Sequence, residues 1–230
     1  MKYKAVIFDL FGTLVDVFSR EGYYSTLSEM VSILKAPKDE FFKLWAATGE
    51  KRGNGQFKTL EENLLYICIQ LNIKPTPREL KLAVWVRLDY VSLVLAPHPG
   101  AIETIAKLKA DGYKIGLISN CSTEPPVIWP RTPFAPYFDV TIFSCSVGMR
   151  KPDPRIYQMA AEGLSVKPED CLYIGDGDSG ELEGAESAGM HPVLIVNPDE
   201  IKEYTIHQKP LEKAWQGPSI SSLRDVLKLL

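Results

Sequence analysis

The chain has 230 residues, 45% of them hydrophobic and 24% charged, with a formal net charge of −3. That length buries either one large core or a core with an insert, and an acidic balance without a long Lys/Arg run excludes electrostatic binding of nucleic acid or an anionic membrane. Cys68, Cys121, Cys145 and Cys171 lack paired spacing, which argues against a disulfide framework and a zinc cluster. The opening MKYKAVIFDL is too short in apolar residues for a signal peptide, and no run of about 18 apolar residues offers a membrane span. A soluble cytoplasmic protein with reduced thiols, monomeric or homodimeric and acting on a small molecule, is the expectation.

In chain order, KAVIFDL at 4–10 is the first of five apolar, β-branched runs, and Asp9 near its end precedes a Gly-Thr turn. Residues 17–95 then read as helices only, at 23–35, 39–52, 60–73 and 77–95, with breaks at Pro37, Gly53 to Gly55 and Pro75 to Pro77. An all-helical block after the first strand predicts a cap, with Phe41, Phe42, Trp45 and Trp85 expected in its own core. From residue 100, helices at 100–112, 153–164 and 180–190 alternate with strands at 113–120, 138–146, 171–176 and 191–197. Strands that are apolar without alternation suit a parallel sheet covered on both faces. The predicted fold is α/β: a doubly wound, Rossmann-like parallel sheet from 1–16 and 96–230, with a helical cap domain at 17–95.

Residues 121–138 carry five prolines, at 125, 126, 130, 133 and 136, which forbid a regular helix and predict an ordered loop or broken turns. Because this segment leaves a strand's C-terminal end, it is either a rigid surface connection or a wall of the site.

The strand ends carry the chemistry. Asp9 ends the first strand, Ser119 and Asn120 the second and Asp176 the fourth, while Lys151 follows the third after a short connection. In a parallel sheet these ends share one edge, so carboxylates, a hydroxyl and an ammonium converge on one crevice. A carboxylate nucleophile needs its anionic substrate neutralised before it can approach, which a lysine and an acid-bound metal ion accomplish.

At these residues the chain resembles the haloacid dehalogenase-like hydrolases, through DLFGT, ISN, RKPDPRIY and GDGDSGE in order, with a helical insert after the first motif. The resemblance implies that Asp9 is the nucleophile and a metal ligand, and that Thr13 fixes the turn beneath it. It further implies that Ser119 and the backbone beside Asn120 hold phosphoryl oxygens, that Lys151 bridges nucleophile and phosphoryl group, and that Asp176 holds Mg²⁺ directly. Glu181 stands where the family commonly has a second Asp, and its extra methylene shifts that contact toward one through water. Asp178 is an acid without an assigned role.

Phe11 departs from the pattern, since the family's phosphatases usually place there an Asp that serves as acid and base. The resemblance offers two branches that also lack it. The 2-haloacid dehalogenases often carry an aromatic residue there, use no metal and expel a halide that needs no proton. Phosphonoacetaldehyde hydrolase has a small apolar residue and keeps Mg²⁺ through that residue's backbone carbonyl, a contact Phe11 can also make. The fourth motif separates them: the dehalogenases carry serine and asparagine there, whereas Asp176, Asp178 and Glu181 concentrate negative charge that calls for a divalent cation. A Mg²⁺-dependent phosphatase is the expected function, with a dehalogenase or a non-catalytic binding protein as alternatives. No motif anchors Lys43, Arg52 or Arg20 as the dehalogenases' carboxylate-binding arginine, and none marks a Schiff-base lysine.

Overall fold

The computed structural model describes residues 2–196 and 215–230; Asn197, the last residue of the fifth expected strand, lies outside them. The first strand, β1 (Ala5–Phe8), precedes five helices: α1 (Arg20–Leu34), α2 (Lys38–Ala47), α3 (Gly49–Gly53), α4 (Leu60–Gln70) and α5 (Pro77–Val94). After α6 (Ala101–Ala110) come β2 (Lys114–Ser119), α7 (Glu124–Ile128), β3 (Val140–Phe143), α8 (Ser144–Val147) and α9 (Pro154–Gly163). The chain ends in β4 (Cys171–Gly175), α10 (Glu181–Ser187), β5 (His191–Ile195) and β6 (Ser219–Ile220).

All five strand pairings are parallel, in the order β3-β2-β1-β4-β5-β6. The period of two along β1 explains why its apolar run does not alternate: Val6 and Phe8 pack with Ile105 and Leu108 of α6, whereas Ala5 and Ile7 pack with Ile156 and Ala160 of α9. The short β6, at the far edge, has only two residues and leaves no readable apolar run, which is why the sequence did not predict it.

Four of the five helices after β1 (α1, α2, α4 and α5) gather around their own apolar cluster, with Leu27, Met30, Phe41, Trp45 and Ile67 among its buried members. Local signals set their ends. Ser19 caps α1 by accepting from Gly22 N, and Thr76 with Glu79 forms a reciprocal capping box at α5, where Pro77 needs no partner for a missing N–H. The single helix expected at 39–52 is instead two, α2 and α3, broken at Thr48. The Thr48 hydroxyl donates back to the Leu44 carbonyl at 2.8 Å and so competes with the helical ladder. Phe41 and Trp45 are buried as expected, but Trp85 is 59% exposed on the outer face of α5 and takes no part in that cluster.

The proline-rich segment forms broken turns: the five-residue α7, then 3-10 turns at 129–131 and 135–137. Pro125 and Pro126 sit in the first turn of α7, where their missing N–H groups cost nothing. This segment delivers Glu124 to Arg87 of α5, a wholly buried pair at 2.9 Å, with Phe18, Tyr23, Trp45 and Tyr90 around the guanidinium. Burial pushes the Glu124 carboxyl up, but the charge and hydrogen bond of Arg87, the hydrogen bond of Ser122 and the Arg52 charge together hold the group below its ordinary 4.5. The pair's contribution is therefore present above that ordinary value and lost as pH falls through the lower folded one. Glu124→Gln leaves Arg87 buried without a counter-charge and is expected to cost about 3–5 kcal/mol in urea unfolding. The double change Arg87→Met with Glu124→Leu should cost much less, and equal losses would contradict an ion-pair origin.

Candidate active site

Asp9 follows β1 directly, and its backbone N–H donates to the Ile174 carbonyl of β4 at 2.9 Å, so two central strands fix it. The chain then turns tightly, with the N–H groups of Leu14 and Val15 both donating to the Leu10 carbonyl. Gly12 makes this turn possible: its φ is +80°, and a Cβ there would lie 2.4 Å from Asp176 Oδ2. Phe11 brings no carboxylate, and its ring packs on Phe18 at 5.1 Å between centroids.

Lys151 stands at the centre. Its buried ammonium donates to Asp9 Oδ1, to Glu181 Oε2 at 2.5 Å and to Tyr173 Oη at 3.3 Å. Asn120 places it, because the Asn120 amide accepts from Lys151 N at 2.9 Å and donates to Lys151 O at 3.1 Å. The Asn120 side chain is thus engaged in holding the lysine. The Ser119 and Thr13 hydroxyls are buried without a hydrogen-bond partner among the described residues.

Asp9, Asp176 and Glu181 are all buried and offer oxygens within 4.8 Å of one another. Burial raises the Asp9 carboxyl despite Lys151, and burial with the Asp9 charge pushes Glu181 up to about 8. Burial alone would lower Lys151, yet Asp9 and Glu181 together raise it. The residues fit a hard divalent cation: the donors are carboxylate oxygens, one ammonium faces three acids, and Asp9 Oδ2 is buried without a hydrogen bond. Glu181 is the most committed of the three, since Oε1 also accepts from Gly177 N at 3.0 Å and Oε2 from Tyr173 Oη at 2.7 Å. Asp178 stands outside the trio, and its backbone N–H donates to Asp176 Oδ1 at 3.0 Å.

Asp9, Lys151, Asp176 and Glu181 thus converge as the strand-end reading requires. Tyr173 and Tyr157 escaped that reading. Tyr173 lies inside a strand that reads as plain core, and Tyr157, whose hydroxyl donates to the Glu181 carbonyl at 2.8 Å, lies in a helix of ordinary amphipathic pattern. The available signal was a hydroxyl on a fully apolar face, which demands a buried polar partner.

The raised Glu181 carboxyl makes a stability prediction for the metal-free chain. The folded protein holds this proton up to about 8 and the unfolded one only to the ordinary 4.5, so between these values folding takes up protons and stability falls as pH rises. The slope reaches about 1.4 kcal/mol per pH unit for one proton. Urea unfolding in EDTA at several pH values measures it. Glu181→Gln should flatten the decline, and stability that rises with pH across this window would refute the assignment.

The chain's relatives include both phosphatases and dehalogenases. A family model for haloacid dehalogenase-like hydrolases matches residues 3–189. The chain is 28% identical over 198 residues to a glyceraldehyde 3-phosphate phosphatase of Methanothermobacter thermautotrophicus, covering 84% of this chain and 85% of the relative. It is 30% identical over 199 residues to (S)-2-haloacid dehalogenase H-109 of Pseudomonas putida, with the same coverage. A solved 2-haloacid dehalogenase from Pseudomonas syringae matches with a TM-score of 0.75 and 18% identity over 99% of this chain and 97% of that one, a likeness of fold alone.

Proposed function

Because the chain belongs to the haloacid dehalogenase-like hydrolases, we propose that it is a magnesium-dependent phosphatase acting on a small phosphorylated metabolite through a phosphoryl group carried on Asp9. The buried trio Asp9, Asp176 and Glu181 around one lysine carries this reading. Three acids leave a negative excess that a dication offsets, whereas a haloacid is itself an anion and gains nothing from such surroundings.

Asp9 supplies the attacking oxygen, the bond from phosphorus to the leaving oxygen breaks, and water then hydrolyses the aspartyl phosphate. Lys151 offsets the charge of nucleophile and phosphoryl group, Ser119 and the backbone at Asn120 hold phosphoryl oxygens, and Thr13 steadies the turn beneath Asp9. Asp9 and Asp176, with the Phe11 carbonyl and Glu181, would hold Mg²⁺, which would supply positive charge where two anions meet. Asp9→Asn should abolish turnover of p-nitrophenyl phosphate with an unchanged circular dichroism spectrum, and Lys151→Ala should impair it severely. EDTA should suppress the native activity.

The dehalogenase reading keeps one specific support, the 30% identity to a haloacid dehalogenase together with the aromatic Phe11. Halide release from 2-chloropropionate that persists in excess chelator would establish it and remove the metal from the mechanism.

Phe11 cannot give a proton to the leaving oxygen, which must then depart with its negative charge. General acid help is typically worth about 10²–10⁴-fold, so rates should depend steeply on leaving-group acidity, with aryl and acyl phosphates far ahead of sugar phosphates. Phe11→Asp should flatten that dependence and raise the rate chiefly on alkyl esters. Equal slopes for both proteins would mean that another group donates, and His98, paired with Asp16 at 2.9 Å, would be the first to replace.

A further inference from the structure

Cys121 and Cys145 take no part in the chemistry above, yet the sheet brings them together. β2 and β3 run parallel with Ser119 opposite Phe143; Cys121 lies two residues beyond the first, and Cys145 two residues beyond the second, in α8. Cys145 Sγ donates to the Ser122 carbonyl at 3.1 Å, so its thiol lies against the backbone next to Cys121. Cys121 N donates to Ser144 Oγ at 3.0 Å, which holds the two segments in contact beyond the strands. Both thiols are free and buried.

Cys145 lines a cavity of about 340 Å³ with Lys58, Thr123, Pro126, Val127 and Ser146. The cavity is roomy enough for a molecule a little larger than water, and Lys58 sets a cation in the same wall. The two thiols also differ. Hydrogen bonding with Cys121 draws Cys145 below its ordinary value, while burial pushes Cys121 well above its own. A thiol drawn down beside one pushed up divides the roles of attacking and resolving sulfur.

We propose that Cys121 and Cys145 form a disulfide modification site for hydrogen peroxide. The Cys145 thiolate attacks one peroxide oxygen and the O–O bond breaks, giving a sulfenic acid and a hydroxide that takes up a proton and leaves as water. The Cys121 sulfur, giving up its proton, then attacks the sulfenic sulfur. The S–S bond forms, the S–O bond breaks, and the hydroxyl departs as a second water. The two thiols lose two electrons and the peroxide gains them.

The bridge lies where it can alter the site. The Cys145 carbonyl presses on Gly55, where a Cβ would lie only 2.2 Å from the oxygen, and Ser144 Oγ donates to the Gly53 carbonyl at 2.7 Å. Cys121 adjoins Asn120, whose amide brackets the Lys151 backbone. Closing the bridge strains both supports and lowers turnover, a consequence that rests on the function proposed above.

Trypsin separates the two cysteines, Cys121 into peptide 115–131 and Cys145 into peptide 132–150. After peroxide treatment of the full chain, alkylation and digestion without reduction, mass spectrometry should find these peptides joined, lighter than their sum by two hydrogens. Cys145→Ser should abolish the joined species, and in Cys121→Ser dimedone should label Cys145. Peroxide should lower turnover of p-nitrophenyl phosphate several-fold in the native chain, reversibly with dithiothreitol, and not in Cys145→Ser. Both cysteines remaining alkylated, or dimedone labelling confined to Cys68 or Cys171, would overturn the proposal. A bridge without loss of turnover would overturn its coupling to the site. The native peptide map requires neither a folded variant nor any hydrolase activity, so its outcome stands apart from the fate of the phosphatase reading.

Discussion

One buried ammonium organises the centre of this molecule. Lys151 touches Asp9 and Glu181 directly, and its ammonium offsets part of the cost of placing two carboxyl groups at such depth. The lysine itself comes from a loop beyond β3, so its position depends on Asn120, which grips its backbone from the end of β2. Three strand ends are thus tied to one charge, and the parallel register that aligns those ends is the condition for all of it.

Close approach is the second constraint. Asp176 lies against Gly12 so tightly that no other residue fits at that turn without displacing the carboxylate. The glycine's positive φ and its missing side chain are used together: one bends the chain away from Asp9, and the other admits the acid from β4. The acids stand together because backbone geometry holds them there, at an electrostatic cost visible in the raised Asp9 and Glu181 carboxyls.

The helices between β1 and α6 reach this centre through two kinds of contact. The Arg87 and Glu124 pair is buried, charged and walled by aromatic rings, and it ties α5 to the segment leaving β2. The glycines at 53 and 55 rest on Ser144 and Cys145, beyond β3. Each seat lies just past the end of a strand, β2 or β3.

The sequence by itself determined the α/β architecture and brought the candidate site residues to one edge of the sheet. Apolar runs without alternation gave parallel strands covered on both faces, Pro and Gly breaks gave the helices, and polar residues at the strand ends marked Asp9, Ser119, Lys151 and Asp176, because periodicity and punctuation are local properties of the chain. Tertiary structure decided what depends on contacts between distant segments. Tyr173 and Tyr157 became partners of Glu181, the Asn120 side chain turned to the lysine backbone, and Arg87 found Glu124 across 37 residues. The contact of Cys145 with the segment that follows β2 belongs to the same class. A buried polar group's partner is chosen by the packing of whole elements, and nothing in its immediate neighbours along the chain encodes that choice.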